Sequence, residues 1–325
     1  MPYFLDHFAG KKICVVGDII ADVYIFGKPY RLSREAPVVV VKYEESKIYP
    51  GSAGNTINNL AALGAEVYPV GFIGSDSIGG KLMDFFTSTK NIEIAGIMQH
   101  AGETITKTRI LAGDTHVSKQ QVIRIDRDDR RKNTAKEKAL LMERLSAIAA
   151  RVDAIIVSDY GHGAVNSRVL EFVKDAAKRT IVVGDSRYSL RKYTGLTIIT
   201  PNESEAYTLA GLPDDEPIED VGKKVLSAMD LKALLVTRGN KGMTLFLRNG
   251  KVHHIPISGK DDVTDVTGAG DTVCAAVALS LASGADFLDA AKIANYAAGI
   301  VVMKRGTATV TVEELRKSIM NGGKI

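Results

Sequence analysis

Lys12-Ile13-Cys14-Val15-Val16-Gly17 is a short apolar run, rich in β-branched side chains and closed by glycine. No polar residue interrupts its apolar core, so the strand it predicts needs cover on both faces, as a central parallel strand does. Similar runs recur at 66–72, 153–158, 180–185, 196–200 and 233–237. Between them, helix-period stretches fall at about 54–63, 78–89, 135–150, 166–178 and 218–228. This alternation predicts an α/β fold: a doubly wound, mainly parallel sheet with helices on both faces.

Two segments break the rhythm. Val38-Val39-Val40-Val41-Lys42 and Thr104-Ile105-Thr106-Lys107-Thr108-Arg109-Ile110 are β-rich and read as flanked by strands rather than helices. They predict a small flanking sheet, a β lid formed by about 22–48 and 101–127. Apolar helical stretches follow at about 270–283 and 290–302, and a short helix near 312–319. No linker or internal repeat divides the chain, so 1–325 reads as one domain.

Composition narrows the function classes. Apolar residues make up 45% and charged residues 25%, ordinary for a folded globular chain. The formal charge of +4, from 42 basic and 38 acidic residues, is too balanced for nucleic-acid binding by bulk electrostatics. Cys14 and Cys274 both lie in apolar runs, which predicts buried thiols in a reducing cytoplasm and no disulfide framework. Neither a signal-peptide pattern nor a bilayer-length apolar run is present, so a cytoplasmic protein with no membrane partner is expected.

The stretch that carries chemistry is Asp265-Val266-Thr267-Gly268-Ala269-Gly270-Asp271-Thr272, a glycine-rich turn running into an apolar helix. Small residues at 268–270 let backbone N–H groups approach a ligand, and the helix N-terminus adds unpaired donors and partial positive charge. Such a cradle suits phosphate oxygens that gain charge in a transition state. A carboxylate at 271 would repel that phosphate unless it had another task, and accepting a proton from an attacking hydroxyl is one. An Asp that merely caps the helix fits the spacing equally well. Familiar rivals fail on particular positions: Gly74 to Lys81 resembles a Walker A loop, but Ser75 and Leu82 stand at two of its defining places. No dinucleotide or zinc motif occurs.

Taken with the upstream residues, Asp265 to Asp271 resembles the C-terminal signature of the PfkB/ribokinase family of carbohydrate kinases. Pro50-Gly51-Ser52-Ala53-Gly54-Asn55, then Leu63-Gly64-Ala65 and Gly71-Phe72-Ile73-Gly74, is similar to that family's N-terminal signature. The resemblance implies a ribokinase-like fold and ATP-dependent phosphorylation of a sugar or sugar phosphate. It implies Asp271 as base, with Gly268, Ala269 and Gly270 as anion hole. Asp18, Asp22, Gly51, Ser52 and Asn55 would hold sugar hydroxyls, Ser52 standing in place of a usual glycine. Thr200-Pro201-Asn202-Glu203-Ser204-Glu205 resembles the family's Asn-x-x-Glu motif, in which Asn202 meets the nucleotide and Glu205 holds magnesium through water. Read from the residues alone, Asn202 and Glu205 are a strand-end turn and a first-turn helix carboxylate.

The same resemblance assigns Thr237, Gly239 and Asn295 to the nucleotide, together with Gly268 and Gly270. It also allows potassium near Asp265 and Thr267. Within the family, Ser33 to Val38, Thr106 to Arg109, Ser158-Asp159-Tyr160-Gly161 and Gly306 to Val310 look most like the kinase domain of the heptose 7-phosphate kinases. Lys107 and Arg109, with Arg31 and Arg34, could clamp a phosphate already on the sugar. Arg34 replaces an expected Pro, and Asp185-Ser186-Arg187 an expected Asp-Pro-Lys. An adenylyltransferase half, which accompanies that kinase in bifunctional relatives, is expected to be missing. The apolar edge Val38 to Val41 predicts a homodimer through the lid. A non-catalytic sugar or nucleotide sensor on the same fold, and a kinase for a non-sugar alcohol, remain alternatives. The retained Asp271 argues against the first and the basic lid against the second.

Overall fold

The computed structural model describes residues 1–114, 119–128, 133–188, 190–259 and 264–322. Residues 115–118, within the second expected lid segment, lie outside the described residues. In chain order the strands are β1 (Lys12–Gly17), β2 (Ile19–Leu32), β3 (Val39–Ser52), β4 (Glu66–Gly74), β5 (Ile97–His100), β6 (Thr106–Ala112) and β7 (Gln120–Arg127). They continue as β8 (Ala154–Asp159), β9 (Ile181–Ser186), β10 (Ile198–Ile199), β11 (Ala233–Thr237), β12 (Met243–Leu247) and β13 (Val252–Ile255).

One sheet runs β13-β12-β11-β10-β9-β8-β1-β4-β5, parallel except where β12 pairs with β11 and β13. β1 sits inside it between β4 and β8, as its unbroken apolar run requires. Its side chains alternate between two cores. Ile13 and Val15 pack on the face covered by the helices Ala53–Ala62 and Ala269–Ala282. Cys14 and Val16 pack on the face covered by Ala135–Ala149, Ser167–Ala176 and Ile218–Met229. The last residue of the strand is glycine because a Cβ at Gly17 would lie 2.1 Å from the Ser158 carbonyl oxygen of the neighbouring β8.

The second sheet has the order β3-β2-β6-β7. β2 follows β1 after a single residue, and β3 runs straight into the helix Ala53–Ala62. The sheet is therefore an excursion from the end of β1, and its roots stay at the C-terminal edge of the main sheet, where open α/β sheets place their ligands. β2 and β3 pair antiparallel from Ile19/Ser52 out to Leu32/Val39.

Several elements differ from the sequence expectation. The run at 196–200 supplies only Ile198–Ile199 as strand. β5, β12, β13 and the helix Glu203–Ala210 carry little periodic signal of their own and are held by their neighbours. The late helix begins at Phe287, where the Asp286 side chain accepts from the Asp289 N–H as N-cap.

Candidate active site

The helix Ala269–Ala282 anchors the site. Residues 271–280 are all buried, each large apolar side chain contributing about 1.5–3 kcal/mol, so the first turn has little freedom. Gly268 is its N-cap at φ +80°, and a Cβ there would lie 2.3 Å from the Asn55 amide nitrogen. Only glycine serves at this position. The Ala269 N–H bonds to the Val266 carbonyl at 3.2 Å. Gly270 and Asp271 follow as the first-turn residues whose N–H groups point out of the helix end.

Asp271 is buried but not isolated. Asn55 Nδ2 donates to its Oδ2 at 2.8 Å, and the Tyr160 hydroxyl donates to its Oδ1 at 2.9 Å. Behind Asn55, Asn59 Nδ2 donates to Asn55 Oδ1 at 3.1 Å, and Thr272 Oγ1 donates to Asn59 Oδ1 at 3.1 Å. Burial pushes the Asp271 carboxyl up to about 6, against the lowering effect of its two donors; Asp22 adds to the rise and Lys107 opposes it. A carboxylate with a proton affinity near neutrality, in a cleft, meets the requirement for a general base.

That cleft has a volume of about 580 Å³. The four-stranded sheet contributes Asp22, Lys107, Arg109 and Arg124 to its wall. Arg109 Nη1 donates to Asp22 Oδ1, and the guanidinium lies over the Tyr24 ring at 5.3 Å. Lys107 Nζ lies 5.2 Å from the centre of the Tyr160 ring, and burial lowers the pKa of its ammonium. Ser52 lines the same wall, buried, at φ +53° and ψ −125°, a backbone region that favours glycine. Gly51, at the end of β3, pairs in register with Ile20.

The opposite wall comes from the C-terminal ends of β9 to β11: Asp185, Arg187, Thr200, Asn202, Glu205 and Thr237. Asn202 Oδ1 accepts from the Glu205 N–H, and Glu205 Oε2 accepts from the Asn202 N–H, both at 2.9 Å. This capping box starts the helix Glu203–Ala210, so a helix cap and a cleft position coincide in the same two residues. Burial pushes the Asp185 carboxyl up to about 8, with the Asp271 and Glu205 charges adding, and burial also raises Glu205. Two carboxyl groups held above their usual range in one cleft fit a hard divalent cation, which would restore both charges. Among the described residues there is no cluster of three or more His, Cys, Asp or Glu side chains arranged to hold a metal unaided.

Some expected site residues lie elsewhere. Asp18 does not line the cleft: Oδ2 accepts the N–H groups of Tyr160 (2.8 Å) and His162 (3.0 Å), and Oδ1 that of Ala164 (3.0 Å). Three backbone donors engage both oxygens of the carboxylate and fold the loop after β8. Asn295 Nδ2 donates to the Pro256 carbonyl at 2.8 Å, and Gly239 opens a short 3₁₀ turn; neither lines the cleft. Asp265 braces its own loop, accepting from the N–H groups of Thr267 (2.9 Å) and Gly306 (3.0 Å), while Thr267 reaches the cleft wall. Tyr160, Arg124 and Asp185 were not singled out as site residues. Tyr160 had a faint signal in the Ser158 to Gly161 stretch, but its contact with Asp271 joins residues 111 positions apart.

A doubly wound sheet with a second, four-stranded sheet beside it, and a cleft holding a buried Asp at a glycine-rich helix start, define a ribokinase-like protein. Its fold matches ribokinase from Thermotoga maritima (TM-score 0.73, 22% identity, covering 96% of this chain and 100% of that one). It also matches phosphofructokinase-2 from Escherichia coli (TM-score 0.78, 14% identity, covering 94% and 97%). The chain belongs to the pfkB family of carbohydrate kinases, which matches residues 10–314. It is 42% identical over 319 residues to the bifunctional protein HldE of Geobacter sulfurreducens, covering 96% of this chain and 64% of that protein. The chain thus spans less than two thirds of the length of this relative. Membership in the family implies use of ATP and, typically, a divalent metal. No helix among the described residues is long and apolar enough to cross a membrane.

Proposed function

We propose that this chain transfers the γ-phosphoryl group of ATP to a hydroxyl of a sugar phosphate, with D-glycero-D-manno-heptose 7-phosphate as substrate and its 1-hydroxyl as acceptor. The observation that carries the reading is the buried Asp271 carboxylate, held by Asn55 and Tyr160 on one cleft floor with Lys107 and Arg109 above it. Resemblance to HldE proteins, at about 40% identity over nearly the whole chain, supports the heptose assignment.

In this reading the sugar lies against Asp22, Gly51, Ser52 and Asn55, and Lys107 with Arg109 meets the phosphate it already carries. Asp271 takes the proton of the attacking hydroxyl as its oxygen bonds to the γ-phosphorus, and the bond to the ADP oxygen breaks. The N–H groups of Gly270 and Asp271, with the helix N-terminus, stabilise charge on the transferring phosphoryl oxygens. Asn202 and Thr237 orient the nucleotide. Magnesium, near Glu205 and Asp185, would neutralise phosphate charge, and potassium near Asp265 and Thr267 would reinforce the loop. The four-stranded sheet acts as a lid that keeps water from competing for the phosphoryl group.

The test is ADP release with magnesium and ATP against heptose 7-phosphate, fructose phosphates, ribose and adenosine. Turnover on heptose 7-phosphate alone supports the reading, whereas turnover on another sugar keeps the kinase and discards the heptose. Silence across the panel favours a sensor. Asp271→Asn is expected to abolish turnover and leave ATP binding intact; retained turnover removes Asp271 as the base.

A further inference from the structure

We infer that Tyr160 is a positioning residue for Asp271: its hydroxyl holds the carboxylate in the orientation from which it accepts the substrate proton. The inference rests on the proposed kinase reading, and it follows from how the loop after β8 is built.

That loop is fixed at four backbone points by two carboxylates. Asp18 takes the N–H groups of Tyr160, His162 and Ala164, and Asp159 Oδ1 takes that of Gly161 at 2.9 Å. Asp159 is itself held, since its Oδ2 accepts from the Tyr193 hydroxyl at 2.8 Å and from Ser186 Oγ at 3.1 Å. Charge-assisted bonds to backbone donors are the stronger kind, so the Cα of Tyr160 has little freedom. The ring then reaches under Lys107, and its hydroxyl meets Asp271 Oδ1. Asn55 holds the other oxygen. With one donor on each oxygen, the carboxylate cannot rotate about its Cβ–Cγ bond without losing both. Each oxygen keeps an acceptor site for a proton from the cleft.

Tyr160 stays a donor throughout the working pH range, because burial and the Asp271 charge push its phenol well above its ordinary value. The other charged or titratable groups around Asp271 are Asp22 from β2, Lys107 and Arg109 from β6, Arg124 from β7, Asp185 from β9, Arg187 and Glu205 on the opposite cleft wall, and Cys274 about one turn along its own helix. None of these has a hydrogen bond to the carboxylate among the described contacts. Removing the Tyr160 donor therefore changes the proton affinity of Asp271 in a known direction: the ionised form loses a partner, and its pKa rises.

The experiment is the pH dependence of kcat/KM and kcat for the full chain, with Asp271→Asn as control. In Tyr160→Phe the acid limb should move up by about one pH unit, and kcat should fall roughly tenfold with KM within about twofold. Replacing Tyr160 by 3-fluorotyrosine, a stronger donor of nearly the same shape, should move the limb down. This second arm gives an answer even where the Phe variant folds poorly. An acid limb that stays put in both variants overturns the inference while a silent Asp271→Asn keeps the kinase reading. Turnover retained by Asp271→Asn overturns the base assignment itself.

Discussion

Ser52 shows how a single side chain can store strain at a site. Its φ of +53° places an L-residue where glycine is comfortable, and the side chain faces the cleft with only 5% of its surface exposed. Residues held in such regions cost about 1–3 kcal/mol, and that cost persists where the surroundings impose the conformation. Ser52→Gly removes it but adds backbone freedom to the unfolded chain, so a net gain of about 1 kcal/mol is expected in urea unfolding. The same variant should raise KM for the sugar phosphate if the hydroxyl touches it. An unchanged KM would remove Ser52 from the substrate contacts. The sequence marks position 52 as a departure from a glycine signature, but the sign of φ there is set by how β3 turns into the next helix.

At the scale of the element, the loop after β8 is the instructive case. Asp18 was expected among the sugar contacts, and it instead gathers three amide donors from that loop. Asp18→Asn keeps the shape but turns one end of the group into a donor facing a donor, which leaves at least one buried N–H unsatisfied. A loss of about 3 kcal/mol is expected in urea unfolding, with faster amide exchange at 160–164. Exchange unchanged there would mean that the loop is held by other contacts. Periodicity made β1, β4, β8, β9 and β11 legible because their apolar runs are continuous. β12 and β13 were not, since a short antiparallel edge depends on the strand beside it.

For the whole molecule, the four-stranded sheet leaves surface that a monomer has little reason to keep. β3 and β7 are its two edges, every residue of β7 is exposed, and Val39, Tyr43, Val122, Ile123 and Ile125 each stand more than half in solvent. Exposed apolar edges invite pairing. A homodimer through this sheet is the proposed solution state, and light scattering should show it at micromolar concentration. Val39→Lys combined with Ile123→Lys should shift the mass to that of a monomer; a monomeric parent protein would dispose of the proposal.

The sequence by itself determined the parallel α/β core, a small flanking β sheet, and a glycine-rich turn leading into an apolar helix at about 270 with Asp271 in its first turn. These follow from local rules: continuous apolar runs, their spacing, and small residues running into an apolar helix. Only the tertiary structure decided which carboxylates remain available to a ligand. Asp18 and Asp271 each directly follow a glycine in the sequence, yet one faces three backbone amides and the other faces a cleft through two side-chain donors. Proton affinity and orientation depend on burial and on partners far away in the chain, and neither is encoded in the neighbouring residues.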